Sequence, residues 1–105
     1  MSTNVGSIAI LAPELASAMN GTWKSIGTLI ASPVQIIFDN QGTVAVEIST
    51  NGGTTTWRTF PGGEALILDM RANSGTNPNF TFPIGTVFSG NGASGVFSIS
   101  YTYVG

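Results

Sequence analysis

The chain has 105 residues, and its three basic and five acidic residues make up only 8% of the sequence, against about 25% charged residues in a typical soluble domain. It has no cysteine and no histidine, which excludes disulfides, cysteine nucleophiles and histidine-based triads and removes the usual ligands of zinc, haem and iron–sulfur sites. Three basic residues neutralise few phosphates, so we expect no nucleic-acid partner and no binding to an anionic membrane surface.

The first 21 residues differ in pattern from the rest, and we interpret residues 1–21 as an N-terminal arm and residues 22–105 as one β-sandwich domain. The apolar stretch at 8–13 is far shorter than the roughly 20 residues of a membrane span. It also lacks the preceding basic residues of a secretory signal. Residues 13–19 predict a short helix, because Pro13 suits the first helical position, Glu14 the positive helix end and Gly21 the stop.

From Thr22 onward the pattern predicts β-strands. An opening strand is expected within residues 21–32, around Trp23, Ile26 and Leu29. Two further strands have apolar residues at every second position: Val34, Ile36 and Phe38, and then Val44, Val46 and Ile48. Asn51-Gly52-Gly53 predicts a hairpin turn with positive φ angles, followed by a return strand over residues 54–60.

The second half continues in the same way. Leu66, Leu68 and Met70 alternate with Ile67 and Asp69, residues 72–79 predict a loop, and short strands are expected at 80–82 and 86–88. A loop at 90–95 leads to a last strand at 96–104. We therefore predict an all-β fold, an antiparallel β-sandwich that is jelly-roll-like and has about seven or eight short strands.

Catalytic and metal sites find little support in the sequence. Five carboxylates are present, but Glu47 and Asp69 lie on polar strand faces, where solvated side chains are common. The turn at residues 39–41 offers oxygen atoms with one charge, and such residues usually serve turn geometry rather than calcium. We expect no catalytic residue, no bound metal and no cofactor.

Trp57 and Arg58 are candidate interface residues. Their threonine-rich surroundings predict an exposed strand, and both residue types are enriched at binding hot spots. An indole folded back over the hairpin is an equally good interpretation of Trp57. A third interpretation is that Trp57 or Trp23 stacks on a sugar in a carbohydrate-binding module.

The shortage of charge predicts a protein whose surface is largely covered by neighbours. Charged residues are depleted in interface cores, whereas a free monomer gains solubility from them. We therefore expect a homo-oligomer. The arm is expected to reach a neighbouring molecule as an added strand, through four apolar residues: Val5, Ile8, Ile10 and Leu11.

Several strand and turn segments also occur in a familiar order. They include residues 36–40, Ile-Ile-Phe-Asp-Asn, and residues 60–63, Phe-Pro-Gly-Gly. The full set comprises residues 25–29, 32–40, 46–52, 60–73, 82–88 and 95–101. Together they resemble a family of small virion proteins of tailed bacteriophages over residues 22–104.

This resemblance implies an all-β virion component without enzymatic activity, assembled in the cytoplasm of a bacterial host. It carries over no individual functional residue. The favoured hypothesis is a capsid decoration (cement) subunit whose partners are the major capsid protein and copies of itself. The alternatives are a structural protein of the head–tail neck or the tail, which would bind neck or tail proteins, and the carbohydrate-binding module.

Overall fold

The structure is a computed structural model that describes residues 9–69 and 82–104, with Ala9 defined in its backbone alone. These residues form nine strands and no helix, and all strand pairs are antiparallel. The strands are β1 (Ala9–Leu11), β2 (Leu15–Ala18), β3 (Lys24–Thr28), β4 (Gln35–Asn40), β5 (Val46–Ser49), β6 (Arg58–Phe60), β7 (Ala65–Asp69), β8 (Val87–Gly92) and β9 (Val96–Val104). In this part of the chain no helix is long and apolar enough to cross a membrane.

Two sheets pack face to face. Sheet A has the order β1-β9-β4-β7, with β2 also paired to β9, and sheet B has the order β3-β8-β5-β6. Strands β2 to β9 therefore follow the eight-strand jelly-roll connectivity, and β1 extends sheet A beside β2. The predicted all-β sandwich of jelly-roll type is confirmed.

The last strand organises sheet A. β9 spans Val96–Val104, as the alternation predicts, and pairs with β4 on one side and with β1 and β2 on the other. Its inward residues Phe97, Ile99 and Tyr101 are buried. Because both sides are paired, the nine-residue strand offers no long free edge to solvent.

The helix predicted at residues 13–19 is wrong, because Leu15–Ala18 form strand β2. Inward and outward positions alternate here, with half-buried Leu15 and buried Met19 inward and Ala16 outward. An isolated helix of two turns is marginal in water, whereas the extended form pairs with the backbone of β9. Hydrogen bonding to β9 therefore overrides the local helix signals.

Pro13 lies between β1 and β2, where the pairing shifts. Leu11 is opposite Thr102 and Leu15 is opposite Ile99, so four steps along the arm match three steps along β9. The extra residue is a bulge-like irregularity at the sheet edge. Proline has no N–H to donate, and it is tolerated at such a position because no ladder hydrogen bond is needed there. The residue taken as a helix start is thus a strand interruption.

Several strand limits also differ from prediction. The predicted return strand 54–60 is shortened to β6, and β8 extends to Gly92 into the predicted loop at 90–95. The turn at Asn51-Gly52-Gly53 is confirmed, with φ angles of 73° and 95° at its two glycines. Met70, the loop at 72–79 and residues 80 and 81 of the predicted short strand lie outside the described residues.

An aromatic cluster fills the space between the sheets. The ring of Phe38 from sheet A lies 5.7 Å from Phe60 and 5.4 Å from Phe88, both of sheet B, measured between centroids. Trp57 and Phe82, from the connecting segments, lie 5.2 and 6.1 Å from the same ring. These tilted and edge-on contacts add roughly 0.5–1.5 kcal/mol each to the burial of the rings.

Asn40 is a buried polar residue at the end of β4, 1% exposed. Its Nδ2 donates to the carbonyl oxygens of Val44, Phe60 and Pro61 at 2.9, 3.0 and 3.1 Å. Its Oδ1 accepts from the N–H of Gly42 at 3.1 Å. One side chain therefore ties the end of sheet A to the backbone of β6 and of the loop between β4 and β5.

We expect Asn40→Ala to lower the free energy of unfolding by about 2–4 kcal/mol, because one buried and two part-buried carbonyls lose their donor. The matched control is Asn20→Ala. Asn20 is exposed and accepts only from Thr22 in the described contacts, so we expect a loss of about 0.5 kcal/mol or less. Urea denaturation measures both, and equal midpoints for the two variants would contradict the bridging role.

Candidate docking surface

The outer face of sheet A is unusually apolar for a solvent-facing sheet surface. It is formed by the outward residues of its strands, which alternate with the buried ones. The apolar members are Leu11, Ala16, Ala18, Ile37, Ala65, Ile67, Val96 and Val104, and the polar members are Gln35, Asp39, Asp69, Ser98, Ser100 and Thr102. Among the described residues, the face has two aspartates and no basic side chain.

Three large side chains form a diagonal strip across this face. Ile37 and Ile67 are opposite each other in the pairing of β4 with β7, and Ile67 is 60% exposed. Leu11 is 71% exposed and borders, together with Ile37, a shallow depression of about 90 Å³. Leu11 and Ile67 are exposed and Ile37 is half-buried. Apolar surface of this kind is costly in water and favourable under a partner.

The outer face of sheet B has a different character. Its solvent-facing residues are mostly hydroxyl and amide side chains, with one acidic residue: Ser25, Thr28, Glu47, Thr59 and Asn91. Ser49 and Ser89 point to the same side but are buried. Val87 is the large aliphatic residue of this face, at 39% exposure. The two faces therefore divide the surface into an apolar side and a hydrated side.

The area of the apolar outer face follows from the dimensions of sheet A. Sheet A is four strand positions wide, which corresponds to about 19 Å, and strands of six to nine residues are about 20–30 Å long. The face therefore covers roughly 400–600 Å². A stable interface buries about 800 Å² on each partner, so this face alone supports weak binding.

Of the six residues predicted to form the interface, the four that the structure describes do not form one surface. Val5 and Ile8 lie outside the described residues. Leu11 is on the outer face of sheet A, whereas Ile10 is opposite Tyr103 and 41% exposed. Within the same chain, β1 pairs with β9, so the structure places Ile10 and Leu11 on their own sheet.

Trp57 is not on an exposed strand. It is half-buried, precedes β6 and packs on the core, with its ring 5.2 Å from Phe38 and 5.5 Å from Phe82. The predicted exposed strand is wrong at Trp57, and the alternative of an indole folded back over the hairpin is correct only in that the ring turns away from solvent, because it packs on the core aromatic residues. Arg58 follows it with a 43% exposed side chain, 3.6 Å from Glu64 Oε1 and 5.3 Å from the centre of the Phe60 ring.

An open cleft lies where the edges of the two sheets diverge. It has a volume of about 260 Å³ and is lined by Trp57, Arg58, Leu66 and Leu68. Trp23 has different neighbours, because a Cβ atom at Gly53 would lie 2.7 Å from its ring. The indole of Trp23 therefore covers the 51–53 turn, and the two tryptophans have separate surroundings.

Catalytic groups do not converge in the described part of the chain. Glu47 is on the outer face of sheet B and Asp69 on that of sheet A, so these two carboxylates cannot act as a pair. A cleft of about 640 Å³ between residues 50–52 and 82–87 is lined by no titratable side chain. Residues 9–69 and 82–104 contain no group of three or more His, Cys, Asp or Glu arranged to hold a metal ion.

Sequence reasoning missed Ile37 and Ile67 as surface residues. Each is the middle of an apolar triplet, Ile36-Ile37-Phe38 and Leu66-Ile67-Leu68. A half-buried strand should alternate apolar and polar residues. The unbroken triplets were therefore the available signal that the outward side of these strands is also apolar.

In comparisons with known proteins, no family model, no curated protein sequence and no solved structure matched the chain.

The packing of Trp57 generates a stability prediction. We expect Trp57→Ala to lower the free energy of unfolding by about 2–4 kcal/mol, because the ring leaves a gap against Phe38 and Phe82. Trp57→Phe keeps part of the aromatic contact and should cost about half as much. Thermal and urea unfolding measure both variants. Unchanged stability in Trp57→Ala would mean that the ring does not belong to the core.

Proposed function

We propose that this chain is a non-enzymatic structural component of a tailed bacteriophage virion. In this proposal it is a capsid decoration subunit that docks on the shell through the outer face of sheet A. The observation that carries the proposal is the apolar strip of Leu11, Ile37 and Ile67 on a face without basic residues in the described part of the chain. The resemblance of residues 22–104 to small phage virion proteins supports the same role.

The chemistry of the face indicates what kind of surface it fits. Two aspartates, Asp39 and Asp69, are its charged groups in the described residues. A complementary partner is flat and largely apolar, with basic or hydrogen-bond-donating groups opposite these carboxylates. This favours a shell protein as the occupant over a second copy of the same face, which offers no basic side chain to these carboxylates among the described residues.

The jelly-roll architecture is compatible with this role but does not select it. Viral capsid domains and lectins both use this architecture, and a fold does not determine a function. The support therefore comes from the contrast between the faces. The hydroxyl-rich face of sheet B remains hydrated while the face of sheet A is covered.

A position at the head–tail neck or along the tail is the closest alternative. It requires the same kind of docking face but a different number of copies. A decoration protein covers the whole shell, whereas a neck protein forms one small ring. Quantitative mass spectrometry of purified virions, with the major capsid protein as the internal standard, distinguishes the two positions.

A carbohydrate-binding module is the alternative from another functional class. It is favoured by the open cleft that Trp57 shares with Arg58, Leu66 and Leu68. Against it, the ring of Trp57 is already engaged by Phe38 and Phe82. Titration of the wild-type tryptophan fluorescence with glycans tests it, since a saturable change would favour this module.

We expect Ile67→Asp to reduce occupancy on virions at least tenfold. The substitution adds a third carboxylate to the docking face, and desolvating an unpaired charge costs several kcal/mol, where about 1.4 kcal/mol is already a factor of ten in affinity. The assay mixes purified protein with virions assembled without it and quantifies the bound chain. Ile67 is 60% exposed, so the variant should fold.

The matched control is Thr28→Asp, which adds the same charge to the exposed outer side of β3 in sheet B, opposite Val87. We expect occupancy equal to that of the wild type, because this face stays hydrated. Equal losses in both variants would indicate a general effect of charge, and unchanged binding of Ile67→Asp would exclude the outer face of sheet A as the docking surface.

A further inference from the structure

The two N-terminal strands form a separable unit, residues 9–18, which we call the arm strands. The backbones of β1 and β2 pair with β9 and with no other described strand, and Lys24 Nζ of β3 donates to the carbonyl oxygen of Ala18 at 3.2 Å. The body of the sandwich, β3 to β9, is connected without them. The arm strands therefore complete sheet A from its edge rather than crossing its interior.

Few side chains anchor the arm strands. Ala12 is buried at 3% exposure, Leu15 is half-buried against Gly27, and Met19 follows at 5% exposure. The outward positions of β2, Ala16 and Ala18, are small, and Leu11 of β1 is 71% exposed, so these side chains add little to the attachment. Backbone pairing with β9 thus contributes much of the attachment, and an identical β9 of another copy offers the same pairing.

The connection to the body is a surface turn. Asn20 is exposed, and its Oδ1 accepts from the N–H and the hydroxyl of Thr22 at 3.2 and 2.9 Å. Gly21 has a φ of 89°, and a Cβ atom there would have nothing within 4 Å. Straightening the turn breaks the bond that the Gly21 N–H donates to the Gly92 carbonyl at 2.7 Å, and the Gly92 carbonyl of the next subunit can accept the same bond after an exchange.

We infer that the arm strands are exchanged between copies of this chain, so that β1 and β2 of one subunit complete sheet A of the next. The inference deepens the proposed function, on which its biological purpose rests. The docking face of one subunit covers roughly 400–600 Å², less than the roughly 800 Å² of a stable interface. Subunits joined through their arms bind together and gain avidity.

The concentration dependence follows from the tether. A segment held by a short linker has an effective concentration on the order of mM at its own site. Exchange between identical sites leaves the contacts unchanged. Pairing with another subunit therefore becomes as frequent as internal pairing when the subunit concentration is about 1 mM. At about 1 µM, about one arm in a thousand is paired with another subunit.

The absence of cysteine provides a direct test. Ala18 is opposite Val96, next to the pair in which the N–H of Met19 donates to the carbonyl of Gly95 at 2.7 Å. Because the two kinds of pair alternate, Ala18 and Val96 form a non-hydrogen-bonded pair with Cα atoms about 4.5 Å apart, within disulfide range.

The variant Ala18→Cys/Val96→Cys is unfolded, reduced, refolded at about 1 µM or about 1 mM, oxidised, and separated without reductant.

At about 1 mM we expect roughly half of the disulfides to join different chains, and at about 1 µM nearly all to be internal. The control Ile37→Cys/Ile67→Cys lies in the body and also forms a non-hydrogen-bonded pair, so it should stay internal at both concentrations. Ala18→Cys alone reports disulfides from random collision. Should the first pair impair folding, Ala16→Cys/Ser98→Cys is a second pair of the same kind.

Internal disulfides at both concentrations in the arm pair would overturn the inference. So would intermolecular disulfides at equal levels in the arm pair and the body pair, because these reflect misfolding or aggregation. The assay contains no virion. A failure of arm exchange is therefore distinguishable from a failure of the docking role, which the occupancy assay measures separately.

Discussion

The packing of Phe38 against rings from the opposite sheet is the interaction on which the rest of the structure depends. With few charges and no disulfides, the chain relies on apolar burial to hold two short-stranded sheets together. Phe38 contacts Phe60 and Phe88 across the interface, and Trp57 and Phe82 extend the cluster to the connecting segments. Asn40, two residues further along β4, supplies the polar link that apolar packing cannot.

The outward residues of the two sheets differ in character, although both sheets bury large side chains inward. Sheet B follows the usual rule, with hydroxyl and amide groups outward. Sheet A departs from it at Ile37 and Ile67, where folding alone gains little from an aliphatic side chain that remains exposed. In the proposed docking role a partner surface covers these residues, and the small area of the face would make binding depend on several subunits acting together.

Most of the fold was predictable because it depends on local alternation. Residues 96–104 and the positive-φ turn at Gly52 and Gly53 followed directly from the pattern. The N-terminal helix did not, because the residues that favour a helix at Pro13 also suit a strand interruption, and the choice depends on the edge of β9, about 85 residues away in sequence. Trp57 was ambiguous for a similar reason: its threonine-rich neighbours indicate exposure, whereas its ring packs on distant aromatic residues.

The sequence by itself determined the class of the fold, the strand periodicity, the turn glycines and the exclusion of cysteine- and histidine-based chemistry, since each of these depends on residue type or near neighbours. The tertiary structure alone decided which strands share a sheet, which apolar residues remain outside, and where the arm strands attach. Those outcomes depend on pairing between distant segments. Strand order therefore placed the middle residues of two apolar triplets side by side on one outer face, the proposed docking surface.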